Sequence, residues 1–206
     1  MDKYAQPQRP EKEIETLISA MADCGEWQNT DQGQTISSGI NDVVIVHSGE
    51  LALLRSMDEI MLAETRKPLI VGIVPFEEQS RYFTLKAKSA CLVQVIERAH
   101  FDRVIEEQQL WKPLLAVLAW YYQYLYWKSY HYVAKSTYTL IRNCLLELMQ
   151  LDEKERETIN ACDYTIQKTG LSQSFILKVF QELKKGGYIK MARGRLVDVE
   201  RLPERY

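Results

Sequence analysis

The sequence predicts an α+β chain: an N-terminal antiparallel β-roll of the jelly-roll kind, a long helix, and a C-terminal winged helix-turn-helix. Three observations predict it. Short β-rich runs crowd the stretch from Gln34 to Glu97 with no helical pattern between them. An unusually apolar helical stretch follows from Trp111, and after Gly170 an amphipathic helix is succeeded by two glycines and a basic hairpin. The boundaries expected are 1–110 for the roll, 111–135 for the long helix and hinge, and 136–206 for the winged unit, within the size that 206 residues allow for two small domains.

The first dozen residues are polar and hold two prolines, which reads as a loose arm. A short amphipathic helix is expected from about Glu13 to Cys24, with Ile14, Leu17, Ile18 and Met21 on one face. Strands are then expected at Asp42 to His47, Leu51 to Arg55, Leu69 to Val74, Tyr82 to Lys86 and Cys91 to Ile96, separated by turn signals such as Ser48-Gly49-Glu50. A short helix near Arg98 to Glu107 precedes the long one, which starts close to Pro113 and reaches at least Trp127. Along it Trp111, Leu114, Leu118, Tyr121 and Leu125 step by three and four residues, the spacing of a seam against a second helix. Leu115, Tyr122 and Tyr126 add a second apolar stripe. One stripe can lie on the roll while the other meets a second copy of the chain; the alternative is that both face one folded core. Another helix is expected from Ser136 to Leu151, with the charged stretch Asp152 to Glu157 at its end.

The formal net charge of −2 is unevenly spread: Asp163 to Tyr206 carries nine Lys or Arg against five Asp or Glu, a local +4, which leaves −6 for residues 1–162. Local potential, rather than the total, governs attraction to phosphate. The expected helix from Ser172 to Lys185 has a hydroxyl at its N-cap and buries Phe175, Ile176, Val179, Phe180 and Leu183. Its opposite face offers Gln173, Ser174, Leu177, Lys178 and Gln181, short or hydrogen-bonding groups of the kind that reach base edges. Thr169-Gly170-Leu171-Ser172 is the tight turn before it, in which glycine supplies a positive φ. Tyr188 to Val199 reads as two strands about an Arg193-Gly194-Arg195 tip, with Lys190, Arg193 and Arg195 placed to meet the phosphate backbone. Six basic residues and one acidic residue lie between Lys178 and Arg195. The expected partner is double-stranded DNA, contacted through Thr169, Ser172, Gln173, Ser174, Leu177, Lys178, Gln181, Lys190, Arg193 and Arg195.

These residues resemble the CRP/FNR superfamily of bacterial transcription regulators. The resemblance rests on Gly170-Leu171-Ser172-Gln173-Ser174, Ile176, Lys178-Val179, Leu183, Gly187 and Ile189 in the C-terminal half. In the roll it rests on His47-Ser48-Gly49-Glu50-Leu51, Ala87-Lys88-Ser89-Ala90-Cys91, Val95-Ile96 and Phe101. It implies a cyclic-nucleotide-binding-like roll, a long dimer helix and a DNA-reading winged domain in a cytoplasmic homodimer. Within the superfamily the chain resembles an enterobacterial type described as affecting peroxide resistance. It also departs from the pattern. Where cyclic-nucleotide-binding members place a Gly-Glu pair and an Arg followed by Ser or Thr, this chain has Gly72-Ile73 and Arg81-Tyr82, so cyclic AMP is not the expected ligand and an effector pocket at Gly72, Ile73, Arg81 and Tyr82 would take another molecule. At the recognition helix, Gln173 and Ser174 stand where the family often has Arg and Glu.

Other chemistries find little support. The three histidines form no His-x-His or His-x-x-x-His pair, and His47 with Glu50 falls short of a metal-ligand set. Cys24, Cys91, Cys144 and Cys162 are far apart, with no Cys-x-x-Cys pair and no N-terminal cluster for an iron–sulfur centre. No cofactor, metal or enzymatic activity is expected, nor a membrane anchor, since no stretch of about 18 uncharged apolar residues exists. Oxidation of Cys24, Cys144 or Cys162 by peroxide is a mode of control that could overlie the DNA reading. The competing reading is a degenerate regulator that binds an effector or a protein through its roll and has lost useful DNA affinity.

Overall fold

The computed structural model describes residues 6–75 and 82–203, and these fall into two compact units: Gln8–Gln123, and Tyr124 onward together with the start of the chain. The division lies inside the long helix, later than the expected boundary at residue 110.

In the first unit, helix α1 (Glu11–Ala20) precedes seven strands: β1 (Glu26–Thr30), β2 (Val43–Ser48), β3 (Leu51–Arg55), β4 (Met61–Thr65), β5 (Leu69–Val71), β6 (Phe83–Ala87) and β7 (Cys91–Ile96). Two antiparallel sheets form, ordered β1-β7-β2-β5 and β4-β3-β6. Helix α2 (Arg98–Glu107) and the first half of α3 (Trp111–Tyr132) complete the unit. The run Val43 to Val46 is buried at every position because its sheet is covered on both faces. Val43 and Ile45 pack with Leu17, Phe101, Ile105, Leu114 and Val117 of the helices, while Val44 and Val46 pack with Leu51, Leu85 and Val93 between the sheets. An alternating amphipathic strand could not fill both layers.

Two strands differ from the sequence expectation. Glu26–Thr30 lacks an apolar alternation because it is an edge strand held mainly by its backbone pairing to β7, Glu26 opposite Val95 through Thr30 opposite Cys91. Met61–Thr65 is written in helix-favouring residues and becomes a strand by pairing with β3. Helix α1 ends at Ala20, so Cys24 lies beyond it, and β5 stops at Val71 rather than Val74.

The second unit holds the end of α3, α4 (Thr137–Leu148), α5 (Glu153–Arg156), α6 (Ala161–Thr169), α7 (Gln173–Lys185) and the hairpin β8 (Ile189–Ala192) and β9 (Arg195–Val199). Ser136 caps α4 by accepting the Thr139 amide at 3.2 Å, and Asn160 caps α6 by accepting from Cys162 and Asp163. Tyr138, Ile141, Cys144, Leu145, Leu148, Ile176, Phe180, Leu183, Ile189 and Leu196 are buried, forming the core beneath the hairpin and helices.

Candidate nucleic-acid interface

Helices α6 and α7 meet at Gly170, which closes α6 with φ 69° in the left-handed region. A side chain there would be strained, so glycine makes the sharp change of direction possible. The Thr169 hydroxyl holds this turn: it donates to the Thr165 carbonyl at 2.6 Å and accepts from the Leu171 amide at 3.2 Å. Thr169 is thus a brace within the turn rather than an open contact group. Ser172 has the extended backbone of an N-cap but its hydroxyl makes no capping bond; it lies 3.4 Å from the Ser174 hydroxyl. This departs from the expected cap and leaves the first amides of α7 open to an anion.

On α7, Ile176, Val179, Phe180 and Leu183 point inward, and Gln173, Ser174, Leu177, Lys178 and Gln181 are all exposed. Phe175, expected in the buried set, is 38 % exposed, because it lies at the margin of the inward face. At the wing, Arg193 and Gly194 both have positive φ, 51° and 81°, which is the two-residue turn whose twist suits a hairpin. The Gly194 carbonyl accepts the Ala161 amide at 2.9 Å, tying the tip to the start of α6. A cavity of about 400 Å³ is lined by Leu177, Phe180 and Met191 together with Asp163, Lys184 and Arg193.

The three wing cations differ. Register places Lys190 opposite Asp198, and its ammonium pairs with Asp198 at 3.2 Å and Glu200 at 3.5 Å. Lys190, unlike the two arginines, is therefore paired within the hairpin, while its side chain stays 61 % exposed. Arg193 and Arg195 are exposed and meet no acid among the described residues.

The long helix also sorts its residues differently from the expected seam. Leu114 is buried with Val117 in the roll, Leu118 packs partly against the same cluster, and the Tyr121 hydroxyl donates to the Ile70 carbonyl. Helical geometry puts positions 114, 117 and 121 on one side, and the roll occupies it. Trp111, Leu115, Tyr122, Leu125 and Tyr126 remain 50 to 67 % exposed. Trp111, Leu115, Leu118, Tyr122 and Leu125 step four, three, four, three along one side of the helix, Leu118 at the margin where the roll begins.

At the anticipated effector site, Ile73 is buried in the roll core and Arg98 occupies the chain carbonyls beside it, donating to Ile73 at 2.9 Å and also to Gly72. Tyr82 is 70 % exposed and Arg81 lies outside the described residues. Gly72 and Ile73 thus form a closed structural turn, which corrects their assignment to a pocket. His47 meets Gln94 Oε1 at 3.0 Å and stacks near Trp27, and Gln94 in turn donates to the Met21 and Cys24 carbonyls. His47 is thereby satisfied as part of the fold.

Sequence reasoning missed a buried cluster under α6. Lys168 Nζ lies 2.7 Å from Glu147 Oε1, with side-chain exposures of 4 % and 6 %. The Tyr132 hydroxyl donates to the other Glu147 oxygen, and Gln6 Nε2 donates to Oε1 at 3.1 Å. Burial alone would raise the Glu147 carboxyl, but the Lys168 charge and the donors around it hold it below the ordinary carboxylate range. Lys168, conversely, is held well above the ordinary lysine value by Glu147 in spite of its burial. All four cysteines are free and buried, and burial pushes each thiol up, Cys144 to about 12. Such thiols hold little thiolate for peroxide to attack.

Residues 137–204 match a family described as winged helix-turn-helix DNA binding. The chain is 28 % identical over 181 residues to the Inhibitor of hydrogen peroxide resistance of Escherichia coli K12, covering 86 % of this chain and 87 % of that one. It is similar in fold to the c-di-GMP responsive global regulator CLP of Xanthomonas campestris, with a TM-score of 0.73, 12 % identity and coverage of 91 % and 100 %. A CRP-family transcriptional regulator from Thermus thermophilus superposes with a TM-score of 0.57, 15 % identity and coverage of 84 % and 92 %. The chain therefore has the fold of the CRP/FNR regulators and carries a winged helix-turn-helix, and the enterobacterial peroxide-resistance resemblance is borne out among its relatives.

Proposed function

We propose that this chain is a cytoplasmic, homodimeric, sequence-specific DNA-binding transcription regulator that works without cyclic AMP. The observation that carries the reading is the exposed polar face of α7, turned out by Gly170 and flanked by the exposed Arg193 and Arg195 of the wing, which meet no acid among the described residues. Gln173, Ser174, Leu177, Lys178 and Gln181 enter the major groove and contact base edges. Ser172 and the open amides at the start of α7 meet a phosphate, as do Arg193 and Arg195, fixing register without reading sequence.

Two copies pair along Trp111, Leu115, Leu118, Tyr122 and Leu125, whose heptad spacing suits a parallel helix pair. Pairing presents two recognition helices to major-groove faces about 34 Å apart on a two-fold-symmetric operator. Independence from cyclic AMP is supported by Ile73, whose place in the core leaves no carboxylate for a ribose, and by Arg98, which already occupies the carbonyls of that turn. The name of the E. coli relative supports a role for the target genes in peroxide resistance.

The test is selection of genomic DNA fragments by the full-length protein, beside a Gln173→Ala/Lys178→Ala variant at the same salt. Enrichment of a two-fold-symmetric motif that the variant loses is the expected result. Equal, salt-sensitive binding by both proteins would refute sequence reading and favour a regulator that acts through a protein or effector instead.

A further inference from the structure

We infer that Leu177 is a specificity-determining residue that packs on the 5-methyl group of a thymine, beside an adenine held by Gln173, so that each operator half-site carries A·T pairs under the first turns of α7. The inference rests on the DNA-reading function above. It starts from an anomaly of composition: among Gln173, Ser174, Lys178 and Gln181, the amides, hydroxyl and ammonium of the outward side of α7, Leu177 leaves 48 % of its surface open. Its neighbours one turn away are Gln173 and Gln181, so an amide, an isobutyl group and a second amide form one stripe.

That stripe suits base edges and not the backbone. Leu177 can offer phosphate nothing, because an isobutyl group neither donates a hydrogen bond nor carries charge. In the major groove the thymine methyl is the apolar group available to such a side chain, and a glutamine amide matches the N6 and N7 edge of adenine. Guanine is less well served: a bidentate guanine contact calls for Arg or Lys, and from Gln173 to Gln181 the helix has only Lys178. A protein-docking patch is disfavoured by placement. The other exposed apolar residue of α7, Phe175, lies two residues back, about 160° around the helix, so the two form no continuous apolar surface.

The experiment begins with the duplex that full-length wild-type protein selects from a randomised pool. Each thymine of the half-site is then replaced singly by deoxyuridine, which removes the methyl and leaves pairing intact. One thymine should weaken wild-type binding about fourfold when replaced, the factor that corresponds to one buried methyl. Leu177→Ala, checked for native circular dichroism, should bind the thymine and deoxyuridine duplexes equally. A selected half-site in which no deoxyuridine replacement matters, or equal losses for wild type and Leu177→Ala, overturns the inference while leaving the regulator intact. Failure to enrich any motif overturns the DNA-reading function, and this inference with it.

Discussion

Lys168→Met is the perturbation whose consequence the structure fixes most sharply. The substitution keeps the volume of the side chain but strips Glu147 of the ammonium 2.7 Å away, in a site where both side chains are at most 6 % exposed. Tyr132 and Gln6 still donate to the carboxylate, yet its charge is left without a counter-ion. Breaking a buried pair from one side costs about 3–5 kcal/mol, a large share of the roughly 5–15 kcal/mol that holds a small domain together. Glu147→Leu should cost a similar amount by stranding Lys168, while Glu147→Leu/Lys168→Met removes both charges and should lie closer to wild type than either single variant. Urea unfolding of the four proteins at neutral pH is the assay. Single variants that lose less than about 1 kcal/mol, or a double variant equal to the sum of the singles, would refute the reasoning. The pH dependence follows from the same pair. Glu147 is depressed in the fold, so its contribution is present above the ordinary carboxylate value of about 4.3 and is lost as pH falls through the folded value. Lys168 is raised, so its share persists through neutrality and disappears only as pH climbs past about 10.4 toward the folded value.

Leu115→Arg puts a charge on α3 at a site 67 % exposed in the single chain, so it should convert the proposed dimer to a folded monomer on size exclusion with little loss of thermal stability; an unchanged dimer mass would remove this face of α3 from the interface. Arg193→Ala and Arg195→Ala should each reduce the slope of log affinity against log salt by about 0.9 per half-site, measured by fluorescence anisotropy on the selected operator, with the preferred sequence unchanged. Cys144, with its thiol pushed up to about 12 by burial, should resist iodoacetamide in the native protein at about pH 8 and react fully in urea; rapid native labelling, read by mass spectrometry, would show that the core around α4 opens readily.

What the sequence made legible divides along physical lines. Strands β2, β3, β6 and β7, the Gly170 turn and the Arg193-Gly194 tip are local features, carried by β-branched runs and by glycines at fixed places in turns. Strand β4 was hidden because Met61-Leu-Ala-Glu carries no strand signal of its own and takes that form only on its partner β3. The stripes of α3 were both visible, but periodicity cannot say which apolar side the roll takes; that depended on where Ile45, Ile70 and Phe101 come to lie. Lys190 looked available until register set it across from Asp198. The Glu147–Lys168 pair left no trace at all, since each residue alone reads as a solvated charge and 21 positions separate them.

The same buried pair helps to hold the DNA-reading face in place. Tyr132 stands at the end of α3, Glu147 on α4 and Lys168 in the last turn of α6, two residues before Gly170. The chain of contacts therefore runs from the last turn of α3 to the turn that aims α7. Surface ion pairs contribute too little to fix such a geometry, whereas a buried, fully donated carboxylate cannot shift without stranding charge. Val133 to Lys135, with Ala134 at φ 53°, links α3 to the α4 N-cap, and a flexible hinge there would be expected to let α7 wander. The Tyr132–Glu147–Lys168 chain spans that link from side to side, so the hinge is braced. Within the unit from Tyr124 onward, the turn that aims α7 is therefore held by groups that are buried and satisfied, so Lys168→Met should disturb that turn as well as stability.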